Sequence, residues 1–237
     1  MKVILDSNDR VPGFQSTHEN CIWQLTHPIH NVSRFRVRQV IIPNTCPSFS
    51  ESNNTLTIGG VAVSLSLTKR YTSSSSFVTD LNAAVTSVTI PNVSSLVFSS
   101  NADEGKLTMT WTASAPFVIK ANKRFGNDLD VTYAAGTSQT FTFPHVFSLL
   151  PTKTIQLSSS SLATDDVRSS TAIGQVFACV PLKGAFGDLI VRENSQDDMM
   201  KLVSTASISR IHIILRDEDG HVINLQNSNW SIELEFL

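Results

Sequence analysis

Charge is scarce in this chain. Asp, Glu, Lys and Arg make up 16% of its 237 residues, and the formal net charge is -2. No strong general field of either sign draws it to nucleic acid or to an anionic membrane surface, so binding to either would need a local patch. Cysteine is scarcer still. Three residues, Cys21, Cys46 and Cys179, cannot close a disulfide framework. They stand in apolar runs or beside proline and read as small buried thiols. No apolar stretch approaches the roughly 18 residues that a spanning helix needs. The opening MKVILDSNDR has an apolar run cut short at Asp6, unlike a signal peptide.

Catalytic signatures are missing as well. The sequence holds no Gly-x-Ser-x-Gly, no phosphate-binding P-loop, no His-Glu-x-x-His and no Gly-x-Gly-x-x-Gly. The expectation is a protein that is not an enzyme and carries no cofactor.

What takes the place of charge is Ser, Thr and Asn, a composition that favours strands over helices. Short alternating runs dominate, separated by polar turns. In RFRVRQVIIP, residues 34–43, Phe35, Val37 and Ile41 fall on one face and Arg34, Arg36 and Arg38 on the other. TLTI and VAVSLSL flank Gly59-Gly60, a two-residue hairpin signal. SSSSFVTDLNAAVTSV, 73–88, breaks the pattern: Phe77, Leu81 and Val85 recur every four residues, with serine placed to cap, which predicts the one helix. LVFSS, KLTMTWTA, PFVIKA, TFTFPHVF, KTIQLSSSSL, GQVFACVPL, GDLIVRE, SRIHIILR and NWSIELEFL read as further strands. Roughly ten strands, one helix and no βα alternation predict an all-β antiparallel sandwich or barrel in one domain. Residues 1–18 lack a repeating apolar face and are expected to form an extended arm before a domain at 19–237, with room for an inserted projection within 122–174. The loops around 122–138 and 161–174 are expected to be exposed.

Three groups of residues invite a chemical reading. Asp217, Asp219 and Gly220 look like the start of a calcium loop, but such a loop wants glycine at its sixth position and Glu at its twelfth. Counting from Asp217 puts Gly220 fourth and Ser228 twelfth, so a hairpin turn explains the acids better, with His221 to Leu225 starting the next strand. His18, Cys21, His27 and His30 are zinc-compatible donors, yet they lie along one extended strand and are read as unrelated, so no metal is assigned. Arg34, Arg36 and Arg38 could grip phosphates or a neighbouring subunit; solvation or pairing within the chain is the simpler reading.

The two ends of the chain, taken together, carry a resemblance. LDSNDR at 5–10, the run IWQLTHPIHNVSRFRVRQVIIPNTCPSF and the closing IHIILRDEDGHVINLQNSNWSIELEF resemble, in order and spacing, the penton (minor capsid) proteins of the virophage and polinton-like group of double-stranded DNA viruses. The matching positions are Asp6, Ser7 and Arg10; Ile42, Pro43 and Asn44; Leu81 and Asn82; then Asp217, Gly220, Trp230 and Ser231. Two positions depart from the pattern: Asn229 stands where an Asp is expected, and RFGNDLDV at 124–131 only loosely echoes the expected Leu-Gly-Phe turn. The resemblance implies a single jelly-roll sandwich, antiparallel and of Greek-key topology, with one short helix and long loops. It also implies a homopentamer at the five-fold vertices of an icosahedral virion, with the major capsid protein and a host receptor as partners and assembly inside the host cell. The alternative is a jelly-roll binding module, such as a lectin or a receptor-binding fibre head, which exposed Trp or Tyr beside Asn and Asp would favour.

Overall fold

The structure is a computed structural model that describes residues 1–12, 16–50, 53–101, 105–121, 123–126, 130–149, 152–162, 175–193, 201–202 and 207–237. The chain divides into two compact units. One comprises Met1–Cys46 with Thr152–Leu237, and the other is Pro47–Pro151.

In the first unit the strands are β1 (Lys2–Asp6), β2 (Asn20–His30), β3 (Arg34–Pro43), β11 (Thr154–Ser159), β12 (Gln175–Pro181), β13 (Leu189–Glu193), β14 (Lys201–Leu202), β15 (Ser207–Arg216) and β16 (Ser231–Phe236). One antiparallel sheet runs β1-β16-β3-β13, with the two-residue β14 also on β3, and the other runs β12-β11-β15-β2. Counting the eight longer strands in chain order, the sheets read first-eighth-third-sixth and fifth-fourth-seventh-second. That is the order of a jelly roll, in which most connections cross from one sheet to the other. The inner faces share one apolar core, where Phe35 of one sheet meets Phe177 of the other with ring centroids 5.6 Å apart.

Strict alternation builds these faces. In β16, Ile232, Leu234 and Phe236 are buried while Ser231, Glu233 and Glu235 are half-exposed on the other face. β3 departs from the expected pattern. Its register against β16 slips between Val37 and Gln39, leaving Arg38 as the extra residue of a bulge. The bulge switches the phase of the strand, so Phe35 and Val37 point inward, then Val40 and Ile42, and Ile41 turns to the outer face. Pro28 sits in β2, the last strand of its sheet, where a missing backbone donor does little harm.

Two expectations are corrected here. Residues 1–18 are not an extended arm, because Lys2–Asp6 pairs with β16 along its whole length and buries Leu5. Nor is 19–237 one domain with a projection inside 122–174. The inserted unit begins at Pro47, far upstream, and of the expected projection residues 122, 127–129, 150–151 and 163–174 lie outside the described residues.

The second unit contains β4 (Thr55–Ile58), β5 (Val61–Ser64), α1 (Ser74–Thr86), β6 (Val93–Asn101), β7 (Lys106–Ala113), β8 (Phe117–Lys120), β9 (Val131–Tyr133) and β10 (Gly136–Thr142). They form a sheet β5-β4-β8-β9 and a sheet β10-β7-β6. Gly59 and Gly60 have φ of 56° and 84°, the left-handed pair that a tight hairpin requires. Ser73 caps α1 by accepting from the Ser76 N–H, and Phe77, Leu81 and Val85 are its buried residues, as their spacing predicts. Asn82 covers the outer edge of β6: its amide nitrogen donates to Phe98 O at 2.8 Å and its oxygen accepts from Phe98 N at 2.7 Å. One side chain thus replaces a missing strand neighbour. The core of this unit is rich in aromatic rings, among them Phe49, Phe77 and Phe147, with Phe77 stacked on Phe147 at 5.2 Å. No helix among the described residues is long and apolar enough to cross a membrane.

The pairing of β1 has a direct readout. Backbone bonds at Met1 and Ser7 to Phe236 and Trp230 set the alternation, so the Val3 and Leu5 amides face β16. In isolated subunits these two amides are expected to exchange slowly and those of Lys2 and Ile4 quickly, measured residue by residue; uniformly fast exchange would contradict the pairing.

Candidate functional site

Five of the motif residues from the two ends of the chain meet in one clasp. Asp6 stands opposite Ser231 in the β1–β16 register. One position further on, Ser7 N donates to Trp230 O at 2.9 Å, and Trp230 N donates to Ser7 Oγ at 2.9 Å. Arg10 reaches back over the turn and donates to Ser7 O at 2.7 Å. The two indoles are buried edge to face, with centroids 5.8 Å apart. Trp23 Nε1 donates to Asp6 O at 2.7 Å, and Trp230 Nε1 donates to His18 O. Every polar atom that the indoles bring inside therefore has a partner, which is what makes their burial favourable. Cys21 lies in the same core, where burial pushes its thiol up to about 12. Cys46 is buried too, whereas Cys179 is exposed, which corrects the reading of all three as buried thiols.

The remaining motif residues lie in separate places. Pro43 ends β3, and Asn44 clamps the loop that leads into β13. Its amide nitrogen donates to Gly184 O at 3.1 Å and Ala185 O at 2.9 Å, and its backbone N–H donates to Asp188 O at 2.8 Å. Gly184 and Gly187 take φ of 106° and 90°, which lets this loop turn tightly and present Phe186 outward. Asp217 and Gly220 form the turn after β15. Asp217 Oδ1 accepts from Asp219 N at 3.0 Å and His221 N at 2.8 Å, while Gly220 takes φ of 87°. The strand expected at 221–225 reduces to a single bridge between Arg216 and Val222.

The metal readings separate clearly. His18, Cys21, His27 and His30 do not converge: Cys21, His27 and His30 are spread along β2, and the Cys21 thiol donates to Thr17 O and His18 O at 3.3 Å each. Donor atoms of Asp217, Asp219 and His221 do lie within 4.8 Å of one another, but Asp217 is engaged in holding its turn. A second cluster has the composition of a catalytic relay. Ser160 Oγ lies 2.8 Å from His212 Nδ1, and His212 Nε2 lies 2.6 Å from Asn20 Oδ1. Burial first, then Arg216 and Arg210, hold the His212 pKa below its ordinary value. Acyl transfer would also need free backbone donors for an oxyanion. The neighbouring N–H groups of Ser161 and Leu162 are directed to Ser159 Oγ instead, at 3.2 and 3.0 Å. The relay therefore pins three segments together and has no oxyanion hole in those two amides.

On the outer face of the first sheet the arginines pair within the chain. Arg36 Nε lies 2.6 Å and Arg38 Nε 2.8 Å from the same Glu235 Oε2, and Lys2 meets Glu233 at 3.0 Å. The hydrogen bond from Arg36, with the positive charges of Arg36, Arg38 and Lys2, holds the Glu235 carboxyl below its usual range. Beside this charged strip the two outermost strands carry apolar side chains in water: Ile4 is 75% exposed, Leu189 67% and Val191 52%.

Sequence reasoning missed Glu19 as a structural keystone, and it marked Asn82 only as a motif position, without its role at the edge of β6. Glu19 is buried, its carboxylate accepting from Leu225 N at 2.7 Å and its backbone oxygen from Leu215 N at 2.8 Å. A lone acid in the polar run STHEN carries no signal of that.

No family model matches the sequence, and no curated protein matches it either. Among solved structures it is similar to the mavirus penton protein, at 12% identity and a TM-score of 0.48, over 100% of this chain and 99% of that one. It is also similar to a chain in the cryo-EM structure of the Sputnik virophage, at 13% identity and a TM-score of 0.39, over 100% of this chain and 97% of that one.

Two measurements test this site. Trp230→Ala is expected to cost about 3–5 kcal/mol in denaturant unfolding, as for other buried large-to-small changes. Ser7→Ala, which leaves the buried Trp230 N–H unpaired, is expected to cost about 1–3 kcal/mol. For pH, the depressed Glu235 pKa stabilises the fold above the ordinary carboxylate value, and that contribution is lost as pH falls through the lower folded value. Glu235→Gln should therefore flatten the acid limb of the stability-versus-pH curve below about pH 4.3, and an unchanged limb would count against the pairing.

Proposed function

We propose that this chain is a structural capsid protein, a penton subunit of the virophage and polinton-like kind that assembles as a homopentamer at the five-fold vertices of an icosahedral virion. The observation that carries the reading is a jelly roll with an apolar core and apolar side chains exposed at both edges of one sheet. Jelly rolls also serve lectins and cupins, so the fold by itself does not choose among them. A cupin needs histidine ligands converging inside the barrel, and none of the six histidines is buried. A lectin commonly offers an exposed ring for a sugar to stack on. All three tryptophans and both tyrosines of this sequence are buried. What remains for function is the outer surface, where complementary patches related by a five-fold axis would close into a ring. The clasp formed by Asp6, Ser7, Arg10, Trp230 and Ser231 supports the reading from the sequence side, since it is where the two resembling ends of the chain meet.

On this reading the partners are further copies of the chain and the major capsid protein of the same virion, and the location is the capsid vertex. Native mass spectrometry of the purified full chain tests it, with five copies as the expected mass. A trimer that binds glycans on an array would overturn it in favour of a receptor-binding head.

A further inference from the structure

We infer that the two outermost strands of the first sheet are complementary halves of one contact, in which β13 of one copy takes β1 of the next as an added antiparallel strand. The inference rests on the self-assembly proposed above and names the surfaces that make it. Among the described residues β1 pairs only with β16, and β13 only with β3. Among the described residues, then, both present an open backbone edge, the kind of feature that soluble proteins otherwise cover or blunt with charge.

The free groups can be identified from alternation. Met1 and Ser7 bond to Phe236 and Trp230, so Lys2 and Ile4 point their backbone groups away from β16. Asn44 N bonds to Asp188 O, so Leu189, Val191 and Glu193 point theirs away from β3. The directions also agree. Each neighbouring pair in β1-β16-β3-β13 is antiparallel, so β1 and β13 run in opposite senses. A second copy placed beside the first, with the same face outward, brings its β1 antiparallel to β13 without inverting the sheet.

Side chains then select the register. With Ile4 opposite Val191, two exposed apolar residues meet on the outer face. The same register sets Lys2 opposite Glu193, an attractive pair, and Leu5 opposite Ile190, both inward-facing. It also makes Ile4–Val191 and Lys2–Glu193 hydrogen-bonded pairs, because all four residues have their free backbone groups on the facing edges. Sliding by two residues in one direction places Lys2 opposite Val191; in the other it places Ile4 opposite Glu193. The first slide keeps an outer apolar contact, Ile4 opposite Leu189, but loses the charge pair; the second loses both. Because the contact joins two different edges it is heterologous, and it propagates from copy to copy until a ring closes.

The test uses the full chain. Sedimentation or native mass measures assembly, thermal unfolding of the dissociated chain checks the fold, and residue-resolved hydrogen exchange reads the edges. Ile4 and Val191 amides are expected to exchange quickly in the dissociated chain and slowly in the assembly. Val191→Pro removes only an outward-pointing N–H and should weaken association about tenfold, as should Glu193→Lys. Adding Lys2→Glu to Glu193→Lys should restore association, and Lys2→Glu is read only in that pair because Lys2 also meets Glu233. An oligomer in which Ile4 and Val191 still exchange quickly, or one that neither Val191→Pro nor Glu193→Lys weakens, overturns this contact and leaves the capsid reading standing. A wild-type chain that stays monomeric at every concentration overturns both.

Discussion

The first unit depends on the exchange of hydrogen bonds between Ser7 and Trp230, one from backbone to backbone and one from the Trp230 N–H to the Ser7 hydroxyl. These residues stand 223 positions apart, and their two bonds register the first strand against the last. That register brings Leu5 over the core and gives Trp23 Nε1 a partner at Asp6 O. With the exchange removed, the strand β1 loses its anchor, two buried indoles lose the order that satisfies them, and the sheet loses its outermost member.

The inserted unit follows from the same economy. The chain leaves the jelly roll after its third strand and returns at Thr152 for its fourth. Loop-closure entropy grows only slowly with length, so a long excursion between two strands costs little more than a short one, provided that it buries its own apolar surface. Pro47–Pro151 does so, with stacked aromatic rings and with Asn82 closing the edge of β6. Each unit therefore settles its interior with its own residues.

Surface chemistry divides along similar lines. Arginine and glutamate satisfy each other across the middle of the first sheet, where Glu235 serves both Arg36 and Arg38. The outermost strands of that sheet carry exposed apolar side chains as well, Ile4 on one and Leu189 and Val191 on the other. On the capsid reading proposed above, the strand edges would be the place for recognition, since open edges pair with other strands.

Most strands and the helix α1 were legible because alternation and the four-residue recurrence of Phe77, Leu81 and Val85 are local properties. The half-buried strand at Ser231–Phe236 and the Gly59-Gly60 hairpin belong to this class. β1 was not legible: its five residues bury one side chain, so no apolar stripe marks it, and its existence depends on a partner at the other end of the chain. The bulge at Arg38 was equally silent, because a slip in register is a relation between two strands and leaves no mark on either. The unit boundaries escaped too: they fall between β3 and β4 and between β10 and β11, and the strand patterns on either side are alike. The sequence by itself determined which segments would be extended and which face of each would be apolar. Only the tertiary structure decided which strands are neighbours, where an edge remains open and which buried polar groups find partners, because those are long-range pairings and local patterning carries no information about the other half of a pair.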